Sequence, residues 1–355
     1  MSLALAAGLL TYGAINGEAT SATALRFGID AGATERAATS YSTASAGRAL
    51  RELRSGGVRG PAPFVVRLYA SFSGNLVADG WSGSGANAGV GAQVESDTAN
   101  GLLVDLVLRY QPAPDLGNAS VVGFDAFVRH TVARYARNPR VRFLQITNEA
   151  DVAGSPSSAD GAYAGVVQAL VTGTEAAASA ARANGASHLA IGFNWAYQAG
   201  GPKADAFWST LRAGGQVWAQ SVQWVGIDDD PGPLGAPTVP PDQIGPALAS
   251  AIVTLRNFMS GVGLGHNVPV HVTEVGYPTG PRHSWAAQAT ALSSVVRTIY
   301  KDRLALNVTD LRWFELRDDD GAIAGQRDQY GVMTGAYLPK PAFWTYRALI
   351  ASDGH

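Results

Sequence analysis

Short apolar segments alternate with longer amphipathic segments along most of this chain, and that alternation constrains its fold most. Eight of the apolar segments are rich in β-branched and aromatic residues, as parallel strands covered on both faces are. They lie at 25–32, 64–73, 102–110, 141–150, 188–196, 222–230, 268–277 and 311–318. The amphipathic segments predict helices at 123–138, 162–185, 241–263, 284–304 and 340–352. A polar helix face is predicted within 45–60, from Arg48, Arg51, Arg54 and Arg59, and a weak helix with a long loop within 74–100.

Eight strands alternating with helices are the count of a (β/α)8 barrel. The predicted fold class is therefore α/β, a TIM barrel that forms a single domain over residues 25–355. The alternative is an open doubly wound sheet, but the first strand and turn, FGIDAGATE, lack the GxGxxG spacing of its dinucleotide-binding form.

Residues 1–24 are predicted to be a separate segment. They combine a short apolar run with a small-residue ending, ATA, and so resemble a signal peptide, although the positively charged start is missing. We expect a secreted or cell-envelope protein, and the alternative is a cytoplasmic protein with a frayed N-terminus.

Composition argues against several other classes of function. The chain has no cysteine, and its six histidines show no HExxH or similar spacing, so we expect no metal and no cofactor. A net charge of −2 without a block of like charges argues against nucleic acid, and no apolar run reaches the roughly 18 residues of a membrane span. The lysines lie outside the predicted strands, which disfavours a Schiff-base enzyme. We expect a monomer whose partner is a carbohydrate.

Polar side chains stand where the predicted strands end, and the active site of a (β/α)8 barrel gathers at that end. Because burying a lone carboxylate is costly, this many ionisable groups at strand ends indicate a functional site. The candidates are Asp30, Arg67, Tyr69, Asn148, Glu149, Asn194, Trp195, Asp228, Asp229, Glu274, Tyr277, Trp313 and Glu315.

Glu149 and Glu274 end the fourth and seventh predicted strands, whose tips face each other across a barrel mouth. Cleavage of a glycosidic bond needs two carboxyl groups, one to protonate the leaving oxygen and one to attack or to activate water. A separation of about 5–5.5 Å gives a retaining mechanism with a covalent intermediate. The pair therefore predicts a hydrolase of O-glycosyl compounds.

Three motifs resemble clan A of the glycoside hydrolases, a group of retaining (β/α)8 enzymes. They are TNEA at 147–150, VTEVGYPTG at 272–280 and the tail QYGVMTGAYLPKPAFWTYRAL at 329–349. The second is similar to the nucleophile strand of family 17 β-1,3-glucanases and of related family 5 and 39 enzymes. The third resembles the eighth helix of clan A sequences.

The resemblance implies a role for each matching residue. Glu149 would be the general acid/base, Asn148 would bind the sugar 2-hydroxyl, and Glu274 would be the nucleophile. Arg67 matches the clan position that pairs with the nucleophile, with a rim salt bridge as the alternative.

Aromatic residues have further implied roles. Tyr69 and Tyr277 would donate hydrogen bonds to Glu274, and Trp313 would supply the floor on which the sugar stacks. Core packing is the alternative for all three aromatic residues.

The sixth predicted strand departs from the clan pattern. Many members end it with an aromatic residue that touches the nucleophile, whereas this chain has Asp228, Asp229 and Asp230. Either Tyr277 takes over that contact or the sugar subsite differs. Asp30 and Glu315 are expected to contact sugar hydroxyls, and Asn194 and Trp195 to line the same site.

The sequence thus predicts a retaining O-glycoside hydrolase that acts on a polysaccharide or oligosaccharide, with a β-glucan-like substrate favoured. One alternative is a transglycosylase that uses the same two glutamates. The other is a catalytically silent barrel that binds glycans, although such a barrel has no need to keep both carboxyl groups.

Overall fold

The computed structural model describes most of the chain. It covers residues 24–31, 42–55, 62–76, 79–113, 116–117, 119–153, 159–197, 202–229, 239–318 and 329–354. The signal-like segment up to residue 23, Arg59 and Asp230 lie outside the described residues.

Eight parallel strands pair in chain order and close into a barrel, which confirms the predicted (β/α)8 fold class. They are β1 (Arg26–Asp30), β2 (Phe64–Phe72), β3 (Leu103–Tyr110), β4 (Val141–Ile146), β5 (Ala190–Ala196), β6 (Trp224–Asp228), β7 (Val270–Glu274) and β8 (Val308–Trp313). The register places Asp30, the last residue of β1, beside Arg67 within β2, and Asp228 beside Glu274, which are the last residues of β6 and β7.

Helices surround the barrel. They are α1 (Thr43–Arg54), α2 (Ala88–Ala99), α3 (Ala119–Tyr135), α4 (Val166–Ala183), α5 (Pro202–Arg212), α6 (Gly215–Ser221), α7 (Ile244–Gly261), α8 (Trp285–Leu306) and α9 (Pro341–Asp353). The side chains of Ser42 and Ser284 cap α1 and α8 by accepting backbone N–H groups of the first turn. None of the described helices is long and apolar enough to cross a membrane.

The chain leaves β4 four residues earlier than the sequence predicts. Thr147 and Glu149 have positive φ angles of 62° and 46°, a left-handed conformation that no strand can contain. Asn148 and Glu149 therefore lie in a turn that follows the end of the strand. Glu274, by contrast, is the last residue of β7.

The predicted bounds of the eighth strand are wrong, because β8 starts at Val308 and ends at Trp313 instead of spanning 311–318. Asp310 interrupts the apolar run and therefore hides the start of the strand in the sequence. Inside the barrel, Asp310 accepts two hydrogen bonds of 2.9 Å from Arg26 and lies 3.2 Å from His271.

Charged residues fill the barrel interior below the strand ends. Asp105 on β3 lies 3.2 Å from Arg312 and 3.9 Å from Arg67, and Arg312 lies 3.9 Å from Asp310. Burial alone would raise the pKa of Asp310, but Arg26, His271 and Arg312 outweigh it and hold the pKa below its ordinary value. Positively and negatively charged side chains therefore alternate through the barrel interior, with Glu274 at one end of the series and Arg26 at the other.

Replacing Asp310 by alanine is expected to lower the free energy of unfolding by about 3–5 kcal/mol, because the change leaves the partly buried Arg26 without its carboxylate partner and the buried Arg312 with Asp105 alone. Urea denaturation measures it. The control is Glu95→Ala, whose carboxylate is exposed and pairs with Arg134 at 2.9 Å, so its loss should cost at most about 1 kcal/mol. Equal losses of unfolding free energy in the two variants would contradict the claim that the interior ion pairs stabilise the fold more than an exposed pair does.

Candidate active site

Three carboxyl groups meet at the C-terminal end of the barrel. Glu149, Asp228 and Glu274 each offer an oxygen atom, and the three atoms lie within 4.8 Å of one another. The two glutamates are partly accessible, whereas Asp228 is buried. The predicted convergence of Glu149 and Glu274 is therefore present, and both carboxyl groups can reach a molecule in the mouth.

Glu274 is held from inside the barrel by two donors from β2. Arg67 forms an ion pair with Oε1 through Nη1, and the Tyr69 hydroxyl donates to the same oxygen at 2.8 Å. The Glu274 side chain is 21% exposed, and Arg67 is fully buried beneath it. Arg67 thus orients Glu274 from below and leaves the upper side of the carboxylate open.

Arg67 is itself fixed by Gln145 on β4 and by Asn148 in the turn that follows β4. Its Nη2 donates to Asn148 Oδ1 at 2.9 Å and to Gln145 Oε1 at 3.0 Å. Burial alone would lower the pKa of Arg67, but Tyr69, Glu274 and two aspartates outweigh it and raise the pKa well above the ordinary value. The guanidinium is therefore a permanent positive charge under the carboxylates.

The left-handed backbone of Glu149 is held by an amide that Asp228 orients. Asn194 Oδ1 accepts the Glu149 N–H at 2.9 Å, and Asn194 Nδ2 donates to Asp228 Oδ2 and to Asn148 Oδ1. Thr273 Oγ1 donates to the other oxygen of Asp228. Since a carboxylate accepts only from the NH2 end of an amide, Asp228 fixes which end of Asn194 faces Glu149.

Asp160 anchors the neighbouring residue of the same turn. Its Oδ2 accepts the Asn148 N–H at 2.9 Å and the Tyr110 N–H at 2.8 Å, and its own N–H donates to the Asn148 carbonyl at 2.8 Å. Arg109 Nε donates to Asp160 Oδ1 at 3.1 Å. The turn that carries Asn148 and Glu149 is therefore held by hydrogen bonds to Asp160 on one side and to Asn194 on the other.

Burial and the closeness of several carboxyl groups raise the pKa values in this cluster. Burial raises the pKa of Glu149 well above its ordinary value, and Glu274, Asp228 and Asp151 raise it further, while Arg67 opposes them. Burial and Glu274 raise the pKa of Asp228 to about 8, and burial raises that of Asp151 to about 7. Glu149 can therefore hold a proton at a pH at which an ordinary glutamate is ionised.

The three carboxyl groups are also close enough to share a cation. Arg67, however, already contacts Glu274 and lies 3.9 Å from Asp228. The guanidinium thus supplies positive charge to two of the three groups, and their arrangement requires no metal ion.

The predicted sugar contacts of Trp195 and Trp313 are wrong. Both side chains are fully buried in the layer between the barrel and the helices. Trp195 packs against Tyr197, Trp208 and Phe258. The physical reason is the two-residue period of a strand, which turns Trp195 outward when Asn194 faces the interior.

Phe314 is the aromatic residue at the end of β8 that the sequence analysis missed. It is partly exposed, follows Asp310 and Arg312 on the interior face of the strand, and packs edge-on against Tyr330 at 5.5 Å. The same alternation turns Leu311 and Trp313 toward the helices. The inward charges of β8 were the signal that could have identified Phe314.

The predicted contact of Tyr277 with Glu274 is also wrong. The Tyr277 hydroxyl pairs with His283 Nδ1 at 3.2 Å. The predicted contact of Tyr69 with Glu274 is present, and Tyr69 from β2 is the tyrosine that donates to this carboxylate. Its hydroxyl also lies 2.6 Å from Asp30 Oδ2.

The remaining predicted site residues lie behind the mouth. Asn194 is fully buried and accepts a hydrogen bond from the Glu149 N–H. It therefore contacts the backbone of Glu149 and not, as predicted, the substrate. Asp229 is buried, and its N–H donates to the Glu274 carbonyl at 3.0 Å. Glu315 is buried, and its charge acts on Lys340. For Asp30 and Glu315, contact with sugar hydroxyls stays a prediction.

Gln145, Asp151 and Asp160 were missed by the sequence analysis. Gln145 could have been recognised, because a fully buried amide inside the apolar strand LQI needs polar partners. Asp151 lies two residues after Glu149, and its carboxylate accepts the Ala196 N–H at 3.2 Å. Asp160 lies in a loop, and no sequence pattern marks it.

No protein-family model matches the chain, and no curated protein matches it. Solved structures do match. A family 39 glycoside hydrolase from the gut symbiont Bacteroides cellulosilyticus WH2 has a TM-score of 0.62 at 14% identity, over 94% of this chain and 65% of that one. GH5_18 from Streptomyces cattleya, in complex with GlcNAc, has a TM-score of 0.61 at 17% identity, over 93% of this chain and 80% of that one.

A third similar structure belongs to a transferase. An active-site mutant of the Rhizomucor miehei β-1,3-glucanosyltransferase, in complex with laminaritriose, has a TM-score of 0.56 at 16% identity. The match covers 89% of this chain and 96% of that one. At these identities the likeness shows the fold alone, a (β/α)8 barrel, which these glycoside hydrolases and the glucanosyltransferase share with this chain.

Proposed function

We propose that this chain, which has the barrel fold of clan A glycoside hydrolases, cleaves O-glycosidic bonds with retention of configuration. The observation that carries the proposal is the approach of Glu149 and Glu274, which bring one carboxylate oxygen each to within 4.8 Å of the other. An approach this close supports the roughly 5–5.5 Å between the carboxyl groups of retaining enzymes over the about 6.5–9.5 Å that an inverting enzyme needs to admit water between the two groups.

Each glutamate has a distinct role in the proposed reaction. Glu149, which holds a proton, gives it to the glycosidic oxygen while a carboxylate oxygen of Glu274 attacks the anomeric carbon and the sugar–oxygen bond breaks. A glycosyl ester of Glu274 results. Glu149, now ionised, takes a proton from water, and the hydroxide that forms attacks the anomeric carbon and releases Glu274.

The proposed substrate is a polysaccharide or oligosaccharide, with a β-glucan favoured. The similarity of the β7 motif to β-1,3-glucanases supports this, as does the laminaritriose bound to the similar glucanosyltransferase. Phe314, partly exposed at the end of β8, offers an aromatic ring on which a sugar can stack. A polymer of this kind would fit the proposed secreted or cell-envelope location.

The alternative to hydrolysis is transfer of the glycosyl group from Glu274 to a second sugar. The glucanosyltransferase among the similar structures is the reason to retain this alternative. Product analysis separates the two outcomes, since a transferase makes longer oligosaccharides from laminari-oligosaccharides whereas a hydrolase makes only shorter ones. A silent glycan-binding barrel would bind the same oligosaccharides without changing them.

A substrate panel tests the proposal directly. Purified protein is incubated with aryl β-glycosides and with β-1,3- and β-1,4-glucans, and proton NMR identifies the first anomer released. We expect a β-configured product from a β-configured substrate. Release of the α anomer first, or no turnover of any member of a broad panel, would overturn the proposal.

Asp228→Asn is expected to move the alkaline limb of the pH profile of kcat/KM to lower pH by about one unit. Where Asp228 is ionised, its negative charge raises the pKa of Glu149, so its removal lets Glu149 lose its proton at a lower pH. The control is Asp97→Asn, which removes a buried carboxyl group in α2 whose pKa is raised to about 6. An alkaline limb at the same pH in Asp228→Asn and wild type would contradict this reading.

A further inference from the structure

A buried amide lies between the supports of the two glutamates. Gln145, the residue before the end of β4, is fully buried inside the barrel. Its Oε1 accepts a hydrogen bond from Arg67 Nη2 at 3.0 Å. Its Nε2 donates to the Thr147 carbonyl at 2.8 Å and to Asn148 Oδ1 at 3.2 Å. The amide therefore has partners at both of its ends.

These partners fix the orientation of the Gln145 amide. A guanidinium can only donate, so the end of the amide that faces Arg67 has to be the carbonyl oxygen. The Thr147 carbonyl can only accept, so the end that faces it has to be the NH2 group. A flipped amide would place donor against donor and acceptor against acceptor in a buried site, at a cost of about 1–3 kcal/mol for each group left unpaired.

The turn that Gln145 contacts has an unfavourable backbone. Thr147 and Glu149 have positive φ angles of 62° and 46°, and neither is glycine. Residues in such conformations cost about 1–3 kcal/mol each and persist only where their surroundings hold them. Asn194 holds the turn at the N–H of Glu149, whereas Gln145 holds it at the carbonyl of Thr147, where the chain leaves β4. The path of the chain at the start of the turn therefore depends on Gln145.

Gln145 also connects this turn to the support of the nucleophile. Arg67, which donates to Gln145, forms the ion pair with Glu274. Arg67 and Gln145 are both fully buried, so neither can move without displacing its neighbours. A displacement of the Gln145 amide would therefore change the approach of Glu149 to Glu274, whose oxygen atoms lie within 4.8 Å of each other.

We propose that Gln145 is a positioning residue that sets the separation of the two glutamates, by holding the backbone that carries Glu149 against the guanidinium that holds Glu274. It touches no substrate and acts through Thr147 and Arg67. The inference rests on the proposed function, because the separation matters for catalysis only if Glu149 protonates the leaving oxygen while Glu274 attacks.

Gln145→Met tests the proposal, because methionine has a similar length but cannot hold the turn by hydrogen bonds. We expect the variant to cleave a glycoside with a poor leaving group about 10²-fold more slowly, the usual effect of misplacing a reacting group by about 1 Å. A dinitrophenyl glycoside, whose leaving group departs without a proton, should release its phenol in the first step within about threefold of the wild-type rate. Equal slowing of the two substrates would overturn the proposal.

Two controls separate positioning from a loss of stability. Gln93→Met removes another buried amide, which donates to Asp97 at 2.9 Å in α2, and should keep the wild-type ratio of the two rates. In the Glu149→Ala background, Gln145→Met should not slow the poor leaving group further, because the acid that it positions is absent. A further tenfold loss in that background would overturn the proposal.

Gln145→Glu serves as a second variant in case Gln145→Met does not fold. It keeps an oxygen for Arg67, but an ionised carboxylate cannot donate to the Thr147 carbonyl. It should therefore slow the poor leaving group more than the dinitrophenyl glycoside. Wild-type rates on the poor leaving group would count against Gln145 as the residue that holds the turn.

Crystal structures of wild type and of the Gln145 variant provide a readout that does not depend on activity. We expect the shortest distance between the carboxylate oxygens of Glu149 and Glu274 to be about 1 Å longer in the variant. An unchanged distance would overturn the inference. A longer distance in the variant of a protein that cleaves no glycoside would count against the proposed function and not against positioning by Gln145. An active wild type with an unchanged distance in the variant would have the opposite meaning.

Discussion

Glu274→Ala is expected to lower kcat on aryl β-glycosides by about 10⁴-fold or more, because the proposed reaction cannot form its covalent intermediate without the nucleophile. Initial rates on a chromogenic substrate measure the loss. Exogenous azide should restore part of the rate, since a small anion fits the space of the missing carboxylate and attacks the same carbon. The product of that rescue should be the glycosyl azide of inverted configuration.

Two results decide how the loss in Glu274→Ala is interpreted. Glu95→Ala, which removes an exposed carboxylate outside the barrel mouth, should keep the wild-type rate. A rate for Glu274→Ala within tenfold of wild type would show that another group attacks the sugar, and the assignment of the nucleophile would be lost.

Glu149→Ala is expected to affect substrates according to their leaving groups. A natural glucan or a poor aryl leaving group should be cleaved about 10²–10⁴-fold more slowly, the usual contribution of a general acid. A dinitrophenyl glycoside should form the glycosyl ester almost as fast as with wild type, because its leaving group departs without a proton. Pre-steady-state release of the phenol measures that step.

The pH profile of Glu149→Ala adds a second check. Because the pKa of Glu149 is raised, wild type keeps its general acid to a pH well above the range of an ordinary glutamate and loses activity as the pH rises further. The variant should lack that alkaline limb. If both classes of substrate slowed equally, or if the alkaline limb persisted unchanged, Glu149 would not be the proton donor.

The barrel and the position of the site could be predicted from sequence because both depend on local patterns. Parallel strands buried on both faces are short apolar runs, and the carboxyl ends of such runs are where the active-site side chains of a barrel gather. Glu149 and Glu274 stand at two of those ends. Their approach follows once the barrel closes, since strand order and register then leave little freedom.

Which side chains face the mouth was harder to predict, because it depends on the phase of each strand. A one-residue error moves a side chain from the interior to the helix layer. Trp195 and Trp313 were misplaced for that reason, whereas Asn194 and Phe314, one residue away, have the opposite orientation. The charged interior also hid the start of β8, since Asp310 is buried among charged partners that include Arg26 from near the other end of the chain.

The contacts of Arg67 and Tyr69 with Glu274 were expected and are present, but the other hydrogen-bond partners within the site could not be predicted from sequence. Tyr69 and Tyr277 were equal candidates to contact Glu274, and only the path of the loop after β7 brings the Tyr277 hydroxyl to His283. The support of Asn148 by Asp160 likewise depends on a loop that no pattern marks. These contacts determine how Glu149 and Glu274 are aimed and therefore how well the two groups can act together.

The most direct test of the account is to trap the proposed intermediate. The protein is treated with an activated 2-deoxy-2-fluoro-β-glycoside, whose fluorine slows breakdown of the glycosyl ester, and is then digested and analysed by mass spectrometry. We predict a single added sugar on the peptide that contains Glu274, and none on Glu274→Ala. A sugar attached to any other residue, or turnover that inverts the anomeric centre without a trapped ester, would contradict the central claim.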